Sequence, residues 1–391
     1  MKINKLVIEG VGGIEALTLT FNPQMNLICG PNGIGKTTIL ESIAHVFSNG
    51  QTSILKRNVR ASTSRITSEI DNNGVIQNGD IQFDVFVPEK QAQISGLNQL
   101  TSGLIALKTA RTFLYQSLAA VNKDTNKEIH TLWDEARNGI NLTDIKNWFV
   151  NRYLYSAHPG ALSTEQLKNF ELAKKCFSLL NKDFTFSKVD ASTNEIMVNT
   201  PSGEIYYEYL SSGFKSIISI LFGIIKEIEF RFREPRINAV DFKGIILIDE
   251  IELHLHPDWQ EKVVDILISA FPHAQFFAST HSPHVIQTAK PNQIIALAHV
   301  DSKVFQRELP NSEFGFQGWS IEEVLTDVMG MEDTRTLIFN QMIKEFELQI
   351  ETGDYENAST NFEKINSLLH PQNQLKKLMK FQLAAIKGEK E

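Results

Sequence analysis

The stretch Asn26–Ile43, NLICGPNGIGKTTILESI, sets Gly30, Gly33 and Gly35 close together and follows them at once with Lys36, Thr37 and Thr38. Glycine is unfavourable in regular structure, so this clustering needs a reason. The spacing G-x-x-x-x-G-K-[ST] runs from Gly30 to Thr37, behind the apolar strand MNLICG and ahead of a helix expected over about Lys36–Phe47. A nucleotide triphosphate supplies the reason. Wrapping its charges takes backbone N–H groups, and only glycine lets the backbone come that close at positive φ. The helix turns the positive end of its dipole towards the same phosphates. Lys36 adds a full charge, and the Thr37 hydroxyl suits Mg²⁺. Asn32 and Thr38 complete the candidate nucleotide loop. A glycine-rich turn with a chance lysine is the plain alternative, which the strand before and the helix after disfavour.

The rest of the chain narrows the setting. With 391 residues, it is longer than one compact core usually needs. Its net charge of −8 excludes a generally basic, sequence-independent grip on nucleic acid, so any such contact needs a local patch. Cys29 and Cys176 share no metal-ligand spacing and read as buried thiols in a reducing compartment. No signal-peptide pattern follows Met1, and no apolar run reaches the roughly 20 residues of a bilayer span. A soluble, cytoplasmic protein with no membrane contact is expected.

Strands INKLVIEG, IEALTLTF and MNLICG open the chain. Gln51–Asn73 reads as a polar segment carrying Lys56, Arg57, Arg60 and Arg65. GVIQ and DIQFDVFVP read as a hairpin turning at Asn78-Gly79. GLIALKTARTFLY supplies a further strand. From about Leu118 to Lys182 the pattern is helical, with a capping box at Ser163 and Gln166, and reads as a short arm. FTFSKV, EIMVNT and EIYYEYL are strands, the last two joined across Pro201-Ser202-Gly203. A helix over about Ser212–Phe232 precedes the strand GIILIDE, a helix over Trp259–Ala270, and the strands AQFFAST and QIIALAH. Apolar strands alternating with helices predict an α/β fold with a mostly parallel sheet. The tail is helical, and GDYENASTNFEKINSLL suggests a helix pair. Four segments result: 1–117, 118–183, 184–332 and 333–391.

Hydrolysis also needs a metal-binding carboxylate and a base. Ile245–Ile248 form a buried strand ending in Asp249-Glu250. Asp249 suits Mg²⁺, a hard ion that prefers oxygen, and Glu250 suits proton abstraction from an attacking water. Two solvated acids at a strand end are the alternative, which weakens once the glycine loop is considered beside them. STHSPHVI follows another apolar strand and puts His281 at the same sheet edge, in reach of a γ-phosphate. His284 is a lesser candidate. Glu252, His254 and His256 have no recognised zinc spacing and read as loop or packing residues.

YLSSGFKS, Tyr209–Ser216, opens a helix ahead of the strand that ends in Asp249. On its own it is also a plain N-cap. It resembles the signature motif of ABC-type ATPases, the group that includes SMC proteins, RecF and the OLD family. Leu210, Ser211 and Gly213 match, whereas Ser212 and Phe214 differ from the transporter form. Glycine loop, signature, acidic strand end and histidine occur in the order of that group, over about residues 1–330. The resemblance implies an ABC-type ATPase core with a mixed, mostly parallel sheet, a β-rich flanking lobe, an inserted helical arm and a C-terminal helical tail. It also implies ATP, Mg²⁺ and a homodimer or higher homo-oligomer that clamps ATP head to tail. Ser211 and the Gly213 N–H would then grip the γ-phosphate bound by the other protomer. The group's glutamine loop has two candidates, Gln116 and Gln82.

IDEIELHLHP looks like OLD-family and related defence ATPases. GWSIEEVLTDVMGM, Gly318–Met331, is similar to a segment of stand-alone antiphage ATPases such as those of Septu and PARIS systems and some retrons; it also reads as one packed helix. The implied role is a sensor or regulator controlling a separate nuclease or other effector. The rival is a RecF- or SMC-like repair ATPase gripping DNA through Lys56, Arg57 and Arg60. A third reading makes ATP structural glue for a scaffold.

Overall fold

The computed structural model describes every residue except 112–114, 116, 302, 311–312, 332–333 and 389–391. The chain opens with β1 (Lys2–Val11), β2 (Ile14–Thr20), β3 (Met25–Cys29) and helix α1 (Lys36–Val46). Strands β4 (Asn49–Thr52), β5 (Ser64–Asn72), β6 (Val75–Phe83), β7 (Ala92–Ser95) and β8 (Leu104–Leu107) follow. Helices α2 (Ile129–Asn138), α3 (Ile145–Ser156) and α4 (Thr164–Leu180) lead to β9 (Thr185–Val189), β10 (Ile196–Thr200) and β11 (Gly203–Tyr206). The long α5 (Ser212–Arg231) precedes β12 (Ile245–Ile248), α6 (Pro257–Gln260), α7 (Val263–Ala270) and β13 (Gln275–Ser279). Then come α8 (Pro283–Thr288), β14 (Ile294–Val300), β15 (Lys303–Gln306) and α9 (Ile321–Glu323). The tail holds α10 (Leu337–Glu351), α11 (Tyr355–Leu368) and α12 (Leu375–Gly388).

Six strands form the central sheet in the order β15-β14-β3-β13-β12-β8, all parallel except β15. Both faces are covered, as the unbroken apolar runs require. Alternation sorts the side chains. Leu27, Ile105, Ile246, Ile248 and Phe276 enter one core with α3, α4, α5 and α7. Ile28, Leu104, Ile245, Leu247 and Phe277 enter the other with α1 and the antiparallel sheet β2-β1-β5-β6. In register, Ile248 lies beside Ala278 and Leu107, and Ser279 beside Ile28. The loops leaving β3, β8, β12 and β13 therefore emerge at one carboxyl edge, where open α/β sheets bind ligands.

The chain divides into two compact units, Met1–Gly330 and Met331–Glu391. The second has its own core, in which Phe346, Ile365 and Met379 bring α10, α11 and α12 together. Gly353–Leu369 contains one helix rather than a pair, because Asp354 caps α11 and nothing within it breaks the turn.

Several expectations change. The hairpin turns at Asn73-Gly74, both at positive φ, and β6 runs straight through Asn78-Gly79. Gly79 is there for closeness, since a Cβ would lie 2.6 Å from Ser68 Oγ and 3.0 Å from Val46 Cγ1. The polar segment 51–73 contains β5. The helix expected over 259–270 is interrupted between Gln260 and Val263. The helices of 118–183 do not extend as an arm but pack within the first unit. Trp148, Phe149 and Val150 are consecutive and all buried, so α3 has no solvent face there. Phe149 stacks on Phe222 of α5 at 4.9 Å. Buried Glu227 and Arg231 of α5 pair with each other, Glu227 also with Lys127 and Arg231 also with Glu135 of α2. The Ser163–Gln166 capping box is present. No helix among the described residues is long and apolar enough to cross a membrane.

Candidate nucleotide-binding and catalytic site

The loop between β3 and α1 has the backbone its glycines suggest. Gly30, Gly33 and Gly35 have φ of 144°, 77° and 109°. At Gly30 a Cβ would lie 2.7 Å from the Leu297 carbonyl, so no side chain fits. Gly35 is the left-handed N-cap of α1. Asn32 is exposed on the loop, Thr37 is exposed in the first turn of α1, and Thr38 is half-buried. Lys36 is buried, and its Nζ donates to the Gly30 carbonyl at 2.9 Å and the Pro31 carbonyl at 3.0 Å. Burial lowers its pKa, opposed by the nearby Glu252, Asp249 and Glu250 carboxylates.

The loop after β12 supplies the acids. Thr37 Oγ1 lies 3.4 Å from Asp249 Oδ1 and 3.5 Å from Oδ2, longer than a strong hydroxyl–carboxylate bond. A hydroxyl and a carboxylate oxygen this close, at the end of a phosphate loop, fit Mg²⁺. The glycine cradle and Lys36 fit a triphosphate. Ser279 fixes the acids: its hydroxyl donates to Asp249 Oδ1 at 2.5 Å and accepts the Glu250 N–H at 2.7 Å. Glu250 takes a left-handed backbone, φ 49°.

His281 follows β13 and is exposed, with its N–H donating to Glu252 Oε1 at 2.6 Å. Thr280 Oγ1 donates to Glu252 Oε2 at 2.8 Å. Ser279, Thr280, Glu252 and Arg111 were not singled out as site residues from sequence. The first two stand immediately before His281, and Arg111 follows an apolar strand, the same cue that picks out Asp249. His284 Nδ1 is 3.7 Å from Glu261 Oε1. His254 sits in the loop at φ 66°, and His256 caps α6.

Ser211 is the N-cap of α5, its Oγ accepting from the Phe214 N–H at 3.3 Å. Ser211 and Ser212 are exposed. Gly213 is buried, and a Cβ there would lie 3.1 Å from Trp259 Cδ1. Gln116 lies outside the described residues. Gln82 is exposed on β6, in the antiparallel sheet rather than at the carboxyl edge. The basic segment has structural work of its own. Lys56 donates to the Val87, Pro88 and Lys90 carbonyls. Arg57 donates to the Asp84 carbonyl and stacks over Phe86, and Arg60 pairs with Glu15.

Residues 2–306 match the family described as RecF/RecN/SMC N terminal domain. This chain belongs to that family. It is 44% identical over 388 residues to the Septu protein PtuA of Bacillus thuringiensis, covering 98% of both chains. A second Septu protein PtuA, from Bacillus mycoides, is 25% identical over 85% of this chain and 45% of its own length. The Retron Vc95 probable ATPase of Vibrio cholerae is 37% identical over 113 residues, 29% of this chain and 22% of that protein. Family membership makes this an ABC-type ATPase fold.

Proposed function

We propose that this chain is an ATP-hydrolysing switch of an antiphage system, whose nucleotide-driven dimer controls a separate nuclease or other effector. The observation that carries the chemistry is the convergence of Lys36, Thr37, Asp249 and Glu250 at one sheet edge. The whole-chain likeness to a Septu protein supports the setting.

In this reading the backbone N–H groups of the glycine loop and Lys36 hold the phosphates, and Thr37 and Asp249 hold Mg²⁺. The metal, when bound, neutralises charge on the phosphate oxygens. Glu250 orients the attacking water and takes its proton; His281 stands at the same edge to meet the γ-phosphate. Ser211 and the Gly213 N–H complete the site of a second subunit. Catalysis is then mostly positioning and charge stabilisation. Closure with ATP and opening after hydrolysis make the switch. DNA as the direct target has less support, because Lys56, Arg57 and Arg60 already hold carbonyls and a carboxylate within the chain.

Glu250→Gln tests the chemistry. Turnover should fall by about 10²–10⁴-fold while ATP stays bound and the dimer accumulates in light scattering. An unchanged rate, or a monomer with ATP bound, would reject the reading. Purification together with the products of neighbouring genes tests the setting; no nuclease or other toxic effector among them would count against it.

A further inference from the structure

Glu250 lies just past the end of β12 in a left-handed conformation, φ 49°. For a residue with a side chain this conformation is unfavourable, so it persists only where the surroundings hold it. Here they hold it from both sides. Ser279, at the end of β13, accepts the Glu250 N–H at 2.7 Å. Arg111, from the loop after β8, donates from Nη2 to the Glu250 carbonyl at 2.6 Å. β8 and β13 are the two strands flanking β12, so both neighbours of the acidic strand clamp the same residue. Among the described residues the Glu250 carboxylate takes no hydrogen bond or ion pair.

Arg111 is an expensive clamp. It is 3% exposed, and among the described residues its buried Nε and Nη1 have no partner. A buried donor left unpaired loses its hydration with nothing in return. Burial lowers the guanidinium pKa to about 10, against the pull of Asp249, Glu252 and Glu250, so it remains charged at neutral pH. A buried cation with a single side-chain hydrogen bond is a poor way to gain stability, which directs attention to what it holds.

We infer that Arg111 is a positioning residue for ATP hydrolysis: by gripping the Glu250 carbonyl it fixes the left-handed peptide that aims the Glu250 carboxylate at the attacking water. This rests on the proposed role of Glu250 as base. The loop after β8 is thereby tied to the acid at the end of β12, and a shift of that loop moves the base.

Steady-state ATPase of the full chain, with ATP affinity measured separately, tests this in Arg111→Met, Arg111→Lys, Glu250→Gln and the Arg111→Met/Glu250→Gln double variant. Arg111→Met should lower kcat by about 10²-fold, the size of effect a small misplacement of a catalytic group produces. ATP affinity should stay within about twofold of the parent, because uniform binding is untouched. Arg111→Lys should recover part of kcat. The double variant should be no slower than Glu250→Gln alone, since both changes remove one function. ATP affinity falling in step with kcat, or losses that multiply in the double variant, would overturn the inference. Should Arg111→Met fail to fold, Arg111→Lys decides by the same two measurements. A wild-type rate in Arg111→Met beside a dead Glu250→Gln sinks the role of Arg111 alone. A wild-type rate in Glu250→Gln sinks the base assignment and this inference with it.

Discussion

The carboxyl edge of the central sheet and the start of α5, the two halves of the proposed site, are built in opposite ways. At the edge, Lys36 and Asp249 are 5% and 7% exposed. Lys36 holds its own loop, and Ser279 bridges Asp249 and Glu250. This half is assembled within one chain. At the start of α5, Ser211 and Ser212 lie exposed, and Tyr209 just before them is 74% exposed. Among the described residues the Ser211 hydroxyl does no more than cap its helix. The buried edge is preorganised for charge, as catalytic groups need to be. The serine end is a surface, shaped for something that arrives from outside. The contrast is the one the proposed pairing of two chains requires.

Mixing two dead variants strikes hardest at this contrast. Lys36→Ala disables the edge, and Ser211→Arg blocks the serine end while leaving the edge intact. Each alone should lose at least about 10²-fold in turnover, the scale for removing a charge-stabilising donor. In a mixed dimer one site joins the intact edge of one chain to the intact serine end of the other. Random pairing should then restore about a quarter of the wild-type rate. Absence of recovery, with mixed dimers verified by mass spectrometry, would mean that the serine end serves its own chain only.

Legibility followed the same division. The edge was readable because its demands are local. Gly30, Gly35 and Lys36 stand in one turn, and Asp249 ends an apolar run that only a buried parallel strand explains. What escaped depends on register between distant segments. Ser279 and Arg111 reach Glu250 because β13 and β8 happen to flank β12, and no spacing along the chain announces that. The expected arm failed for a related reason. Helical periodicity finds α3 and α4, but only tertiary contacts such as Phe149 with Phe222 show that they fold back on α5. The Asn78-Gly79 turn failed because the same dipeptide suits a hairpin or a tight packing point. Val46 and Ser68 decide in favour of packing.

The preassembled half carries an acid-labile brace. His45 of α1 is fully buried, with Nδ1 2.7 Å from the Glu41 carbonyl and Nε2 2.9 Å from Thr52 Oγ1 of β4. Burial lowers its pKa to about 3 from an unfolded value of 6.5. Between these values the unfolded chain binds a proton that the folded one refuses. Its contribution is therefore complete above pH 6.5 and is lost as pH falls, by up to about 1.4 kcal/mol per unit. Between pH 7.5 and 5.5 the parent should lose about 1.4 kcal/mol more unfolding free energy than His45→Gln, read from denaturant midpoints. Equal losses would place the acid sensitivity elsewhere.

The finest test separates packing from function at the serine end. Gly213 is buried in the first turn of α5, where an added Cβ would meet Trp259 Cδ1 at 3.1 Å. Alanine brings a helix-propensity gain of up to about 1 kcal/mol over glycine. Trp259 must yield by a few tenths of an ångström, and that strain offsets the gain. Net stability of Gly213→Ala should stay within about 0.5 kcal/mol of the parent, with a small change in tryptophan fluorescence. If Gly213 is there only so that Trp259 can approach, the ATPase rate should track that small change. If its N–H meets the partner's phosphate, the displaced turn should lower the rate severalfold at unchanged stability and unchanged ATP affinity. The second outcome is expected, because Ser211 and Ser212 beside it are left open to solvent, while Lys36 and Asp249 at the carboxyl edge are buried and Glu250 is half-buried.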